Sequence, residues 1–221
     1  MEKSDQKFTK VTNVKKVTSN SKRFDIEVEK NSNFFANGIL VHNSSMSCGK
    51  YNDEIVVCSR NLSLKYEDEY NQQTNAFVKT ALKLNVIEGL KILNRNVMIS
   101  GELIGPGIQG NKYQLDDYQW RIFDVYDAEK GQYMHLGDRL RLVAELSTIS
   151  GETFHQVAPI IDNCHQFEYN VSVTEILQMA SDKSQLNPKM IREGLVFKSL
   201  NNPDLSFKAI SPAFSMKFED G

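Results

Sequence analysis

The 221 residues predict an α+β domain built on antiparallel sheets, preceded by a short all-β segment. Three observations lead there. Stretches of strand and helix periodicity mix without the regular strand-helix-strand alternation that a parallel sheet requires. The composition, 40% hydrophobic and 24% charged, is that of an ordinary globular chain. The charge also divides unevenly: residues 1–43 hold eight Lys/Arg against five Asp/Glu, net +3, leaving eighteen against twenty-three, net −5, for residues 44–221. The first part is too small to bury a core by itself, whereas the second is long enough for one domain with a sizeable core.

The elements follow in chain order. Residues 1–23 are rich in Lys, Ser and Thr and too polar for a signal peptide or a membrane span. Asp25-Ile26-Glu27-Val28 alternates as a half-buried strand does. Residues 34–41 read as two short apolar strands about an Asn37-Gly38 turn, a hairpin. Residues 53–58 form a strand, and 74–93 hold two helical stretches with Asn85 between them. Residues 97–103 are a strand running into the turn Gly105-Pro106-Gly107-Ile108-Gln109-Gly110. In 118–126 a strand alternates Trp120, Ile122 and Asp124 against Arg121, Phe123 and Val125. Helices are expected over 136–146 and 173–180, and late strands over 193–198 and 205–210.

Composition also excludes several classes of function. Cys48, Cys58 and Cys164 are odd in number and lack metal-type spacing, which indicates a reducing, cytoplasmic setting without a disulfide framework. The His residues at 42, 135, 155 and 165 form no zinc pattern. An isoelectric point near 6.1 argues against bulk attraction to nucleic acid, although a local groove can still be basic.

The chemistry concentrates first at His42-Asn43-Ser44. An Asn amide can attack its own backbone carbonyl through a five-membered ring, a reaction that orientation accelerates strongly. The His beside it can donate to the scissile group, and the Ser hydroxyl can accept an acyl group. Together with the strand at Asp25 and the hairpin at 34–41, residues 23–44 resemble the C-terminal splicing blocks of inteins. The resemblance implies a role for each residue. Asn43 cyclises, His42 assists, Ser44 is the first host residue and ester-forming nucleophile, and Asp25 helps the early acyl transfers. One departure is Ser32 before Asn33-Phe34, where many inteins carry His. The nucleophile and Thr-x-x-His block that open an intein are absent before Arg23, so residues 1–43 resemble the C-terminal half of a split, Hint-type intein. Its N-terminal half is then expected on a separate polypeptide, and the chemistry needs no cofactor.

Four clusters occupy the remainder: Ser59-Arg60-Asn61; Gly101-Glu102-Leu103-Ile104-Gly105; Glu193-Gly194-Leu195-Val196-Phe197-Lys198; and Ser206-Phe207-Lys208-Ala209-Ile210. Each is weak alone, since a Lys in a strand usually faces solvent. In this order they resemble the nucleotidyltransferase motifs of covalent ligases and capping enzymes, most closely ATP-dependent RNA ligases that seal nicks in duplexes. The resemblance implies an ATP-grasp-like, antiparallel-sheet nucleotidyltransferase domain over 44–221. It further implies Arg60 on phosphate, Glu102 on ribose hydroxyls, Phe123 stacked on adenine, and Glu193 on Mg²⁺ or Mn²⁺. Lys198 and Lys208 would neutralise the phosphates of ATP. The family's first motif, Lys-x-Asp-Gly before Ser or Thr, supplies the Lys that is adenylylated; here only Ser44-Ser45-Met46-Ser47 remains of it. Splicing would restore it by joining 44–221 to a partner carrying that Lys. The chain alone is then expected to form no adenylate, and the spliced product to act on RNA or an RNA-containing duplex away from membranes. A second Lys of the last motif is replaced by Ile210. Two alternatives share these motifs: a DNA ligase or guanylyltransferase host, and a decayed, non-catalytic nucleic-acid-binding fragment.

Overall fold

The computed structural model describes residues 33–36, 39–42, 44–156 and 171–218. The chain divides into two compact units, 1–43 and 44–221. In the first, β1 (Asn33–Ala36) and β2 (Ile39–His42) pair antiparallel with Ala36 opposite Ile39, the two-residue hairpin expected from the sequence. The Asn37-Gly38 turn, the 25–28 strand, Asp25 and Asn43 lie outside the described residues.

The second unit is built on a seven-stranded sheet. Its strands are β3 (Ser45–Tyr51), β4 (Glu54–Ser59), β5 (Ser63–Leu64), β6 (Val97–Ile104), β7 (Gln119–Asp127), β8 (Gln132–Tyr133) and β9 (His155–Gln156). The order is β5-β4-β3-β6-β7-β8, all antiparallel, and β9 joins β7 in parallel. That parallel pair is the one departure from the all-antiparallel expectation.

Between β5 and β6 lie α1 (Glu69–Thr74), α2 (Ala76–Lys83) and α3 (Val86–Leu93). Side-chain caps start the first two: Asp68 accepts from the Asn71 amide, and Asn75 from the Phe77 and Val78 amides. Asn85, at φ 50°, breaks the chain between α2 and α3 as the sequence predicted, because Asn tolerates the left-handed region. After β8, α4 (Leu136–Ser150) ends at Gly151 with φ 74°, a glycine C-cap. Helix α5 (Val173–Ala180) carries a capping box between Ser172 and Glu175. A two-stranded sheet, β10 (Gly194–Lys198) and β11 (Ser206–Ile210), precedes α6 (Pro212–Phe218), which opens on Pro at its first turn.

Period-2 alternation decides the two faces of the large sheet. Met46 and Cys48 of β3, Val97, Ile99 and Leu103 of β6, and Trp120, Ile122 and Val125 of β7 form one core with Val86, Leu90, Leu142 and Leu146 of the helices. The opposite face is polar: Ser45 stands opposite Glu102, Ser47 opposite Ser100, and Glu102 opposite Arg121.

The simple alternation read for β7 fails at one residue. Between Ser100 and Gly101 the β6–β7 register shifts, so Gly101 pairs with Ile122 and Ser100 with Asp124, leaving Phe123 as the extra residue of a bulge. Unbroken alternation would send Asp124 into the core with Trp120 and Ile122. The bulge returns Asp124 to the polar face and puts Val125 into the core instead. Gly101 is needed at this point. A Cβ there would lie 2.5 Å from Trp120 Nε1, because the indole crosses the glycine to donate to the Met46 carbonyl at 3.2 Å.

Candidate active site

At the start of β3, Ser44 is only 1% exposed. Its carbonyl accepts from the Leu103 amide at 2.8 Å, which extends the β3–β6 ladder by one residue. Its hydroxyl donates to Glu102 Oε1 and accepts from Gln109 Nε2 at 2.6 Å. Ser45 donates to the other carboxylate oxygen, Glu102 Oε2, at 3.3 Å. Gln109 sits in the left-handed region at φ 47°, within a loop where Asn111 and Gln114 are left-handed too. For non-glycine residues that conformation carries strain, which concentrates at functional sites.

Burial pushes the Glu102 carboxyl above the ordinary glutamate range; the Ser44 hydrogen bond opposes this, Glu193 adds to it, and Ser45 and Lys208 oppose it. Tyr113 is pushed up as well, by burial and then by Glu193 and Glu102. Glu102, Tyr113, Glu193 and Lys208 therefore share one electrostatic neighbourhood, although they come from β6, the loop after it, and the β10–β11 hairpin.

Arg60 follows Ser59, which pairs with Met46, so it leaves the sheet at the same end as Ser44 and Glu102, and it is exposed there. On the second sheet, Lys208 of β11 pairs with the Glu193 carboxylate. Lys198 of β10 pairs with Asp124 and donates to the Phe123 carbonyl at 3.2 Å. That carbonyl also accepts from Arg139 Nη1 of α4. The bulge explains the convergence, since it lifts Phe123 out of the ladder where other donors can reach its carbonyl.

Of the sequence-predicted residues, Ser44, Glu102, Glu193 and Lys208 are brought together. Lys198 anchors at the Phe123 bulge, and Arg60 sits at the sheet end. His42 is the last residue of β2, in the other unit. Ile210, where a second Lys was expected, pairs with Gly194 and is exposed.

Sequence reasoning missed Ser45, Gln109, Tyr113, Arg121, Asp124 and Arg139. Arg121 lies opposite Glu102, and burial lowers its basicity; its Nε is buried with no partner. A charged residue repeating at period 2 with Phe123 was the available signal for it. For Gln109 there was only the glycine-rich turn in which it lies.

Among the described residues, no group of three His, Cys, Asp or Glu could hold a metal ion. Mg²⁺ is commonly held by one or two carboxylates, with substrate phosphates and water completing its shell. Glu193, the residue for which the resemblance implied a metal, pairs here with Lys208. The Lys198 and Lys208 ammonium groups, each paired with a carboxylate, and the exposed Arg60 guanidinium are groups of the kind that suits polyphosphate charge.

A protein-family profile described as RNA ligase matches residues 41–210. The chain belongs to the RNA ligase family. Its solved relatives include a Naegleria gruberi RNA ligase bound to pyrophosphate, 41% identical, with a TM-score of 0.70 over 81% of this chain and 50% of the other. A variant of that ligase solved with ATP and manganese matches equally well, at 41% identity and a TM-score of 0.70. Another, solved with AMP and manganese, matches at 40% identity, covering 81% of this chain and 50% of that one. This RNA ligase chain thus spans about half the length of the solved ligases it resembles. None of the curated proteins matches it. No helix among the described residues is long and apolar enough to cross a membrane.

Proposed function

We propose that the chain is the C-terminal half of a split-intein-bearing RNA ligase. Residues 1–43 splice in trans, and residues 44–221 become the C-terminal part of an ATP-dependent ligase. The observation that carries this reading is where the two compact units divide, between Asn43 and Ser44. That is the peptide bond an Asn cyclisation would cut, and Ser44 is at once the first residue of the ligase fold. In the proposed sequence an upstream acyl group passes to Ser44, Asn43 cyclises with help from His42, and the freed Ser44 amine takes the acyl group. Asp25 assists the first transfers. The net charges of +3 and −5 on the two parts leave room for electrostatic steering of the partner half.

After joining, the partner's Lys would precede Ser44 by the spacing of Lys-x-Asp-Gly. Its amine attacks the α-phosphorus of ATP, and pyrophosphate leaves. This chain's share of that step is positioning and charge neutralisation. Lys208 and Lys198 would hold phosphate oxygens, Arg60 would add a forked donor at the sheet end, and Phe123 would flank the base. Glu102 would accept from the ribose, and Glu193 would ligate Mg²⁺ or Mn²⁺, which supplies further charge neutralisation. The final substrate is RNA or an RNA-containing duplex.

The test is labelling with α-phosphate-tagged ATP and Mg²⁺, with the chain alone and mixed with its candidate N-terminal partner, read by mass. Label only in the mixture, on a product equal to the joined halves without the intein, is the expected result. Label on this chain alone would place a nucleophile within it and remove the reason for a partner. A joined but unlabelled product would keep the splicing and remove the ligase.

A further inference from the structure

Across the polar face of the large sheet, register sets four side chains in one row: Ser45 of β3, Glu102 of β6, Arg121 of β7 and His155 of β9. Opposite charges directly across a ladder usually pair. Glu102 and Arg121 do not. The Glu102 carboxylate is held from the β3 side by the hydroxyls of Ser44 and Ser45. The Arg121 guanidinium is drawn along its own strand, where Nη2 donates to Gln119 Oε1 at 2.7 Å. Its Nε is buried with no partner. No ion pair among the described residues includes Arg121. His155, on its other side, brings no negative charge.

A buried N–H left unpaired is costly, so a guanidinium held in this way has donors to spare for a ligand. The carboxylate beside it has capacity too, since it offers about four acceptor positions and the two serines use only part of them. A hydroxyl is the group that fits between the two. It donates one hydrogen and accepts on its lone pairs, so a single hydroxyl serves the carboxylate and the guanidinium together. Phosphate fits worse, because Glu102 repels it at the same place. A bare ring nitrogen satisfies Arg121 and leaves Glu102 unaddressed. Glu102 and Arg121 are each partly exposed, so the row is open to a ligand.

We propose that Arg121 is a sugar-recognising residue of the nucleotide site: with Glu102 it clamps a ribose hydroxyl, which donates to the carboxylate and accepts from the guanidinium. The inference rests on the nucleotide-binding part of the reading above and is independent of splicing. Phe123, for which the base contact is proposed, stands two residues further along the same strand, so sugar and base are met by neighbouring positions of β7. The site then prefers ribonucleotides to deoxyribonucleotides, and Arg121 sets that preference jointly with Glu102.

The experiment titrates the full chain with ATP, 2′-deoxy-ATP, 3′-deoxy-ATP and GTP in Mg²⁺ by calorimetry, so that affinity is read without adenylylation. The parent should bind ATP at least roughly 10-fold more tightly than one of the two deoxy analogues, as expected of a hydrogen bond to charged groups. Arg121→Met should abolish that ratio by weakening ATP alone, leaving the affinity for the deoxy analogue and the ATP-to-GTP ratio unchanged. Arg121→Lys keeps the charge without the planar fork and should recover only part of the ratio. A parent that binds ATP and both deoxy analogues equally overturns the inference while the nucleotide reading stands. Proportionate loss of every nucleotide in both variants also overturns it, by assigning the guanidinium to the fold or to phosphate. A changed ATP-to-GTP ratio would put Arg121 on the base instead of the sugar, with the same consequence. If the parent binds no nucleotide, the nucleotide reading fails and the inference falls with it.

Discussion

The Ser44–Glu102 cluster and the β10–β11 hairpin carry the same kinds of groups but hold them in opposite ways. In the first, partners 58 residues apart are set by the β3–β6 register, and a hydroxyl is sealed from water. In the second, Glu193, just ahead of β10, and Lys208 of β11 are only 15 residues apart in the chain, and their side chains stay 29% and 42% exposed. The sealed cluster gains its geometry from the main sheet and cannot change without the sheet changing. The hairpin offers cations that solvent and ligand can both reach. An exposed ion pair contributes at most about 1 kcal/mol, so a phosphate can displace it at little cost. Fixed placement of a buried hydroxyl and solvent-accessible pairing of charges are different arrangements, and the two regions divide them.

The sharpest way to break this comparison is a pair of variants, one in each region of the proposed sequence. Lys208→Ala is expected to lower adenylylation of the spliced product by roughly 100-fold or more while leaving the yield of joined halves unchanged. Asn43→Ala should reduce joined product to background, and the label on joined product with it. Gel and label readouts on the same mixtures separate the two. If Lys208→Ala also prevents joining, the regions are not independent.

A smaller effect is expected from packing. Gly101→Ala would place a Cβ 2.5 Å from Trp120 Nε1 and 2.6 Å from the Arg121 carbonyl. It should cost roughly 1–3 kcal/mol in a urea melt of the full chain. In the hairpin, Gly194→Ala would place a Cβ 2.1 Å from the Ala209 carbonyl. Its strain should fall on adenylylation more than on the urea midpoint of the main sheet. Equal loss of midpoint in both variants would show that the hairpin is as integral to the fold as β6.

Acid–base linkage gives the next prediction. Folding raises the Glu102 carboxyl above its unfolded value, so its protonated form favours the fold. That contribution is fully present below the unfolded pKa and is lost as pH rises through the higher folded one. Glu102→Gln should therefore be at least as stable as the parent at neutral pH, with the difference changing sign or vanishing in acid. A neutral-pH loss of stability would mean that the ionised carboxylate holds the fold together.

The smallest effect belongs to Lys198→Met. Its pairing with Asp124 is partly exposed, so the melt should move by no more than about 1 kcal/mol. A larger shift would show that the Phe123 carbonyl, shared with Arg139, is the main anchor between β10 and the bulge.

Much of the fold was legible in advance because its signals are local. The Asn85 break, the 173–180 helix, and the strands read from 97 and 118 each follow from periodicity within a few residues. Strand β3 was hidden because its first residues read as the remnant of a motif, and α6 because seven residues give too short a pattern, although Pro212 marks its start. Asp124 was assigned to the wrong face because a bulge is one extra residue and leaves no trace in alternation.

By itself, then, the sequence determined the order of the motifs and the hairpin that ends at His42. Those are properties of neighbouring residues, and side-chain chemistry and period suffice to state them. Only the tertiary structure decided that one carboxylate serves Ser44 and Ser45 together, that Gln109 closes the site, and that Lys198 and Arg139 meet at the Phe123 carbonyl. Each of those depends on strand register across tens of residues. Register is chosen by the packing of the whole buried face, a global energy that no local stretch of sequence contains.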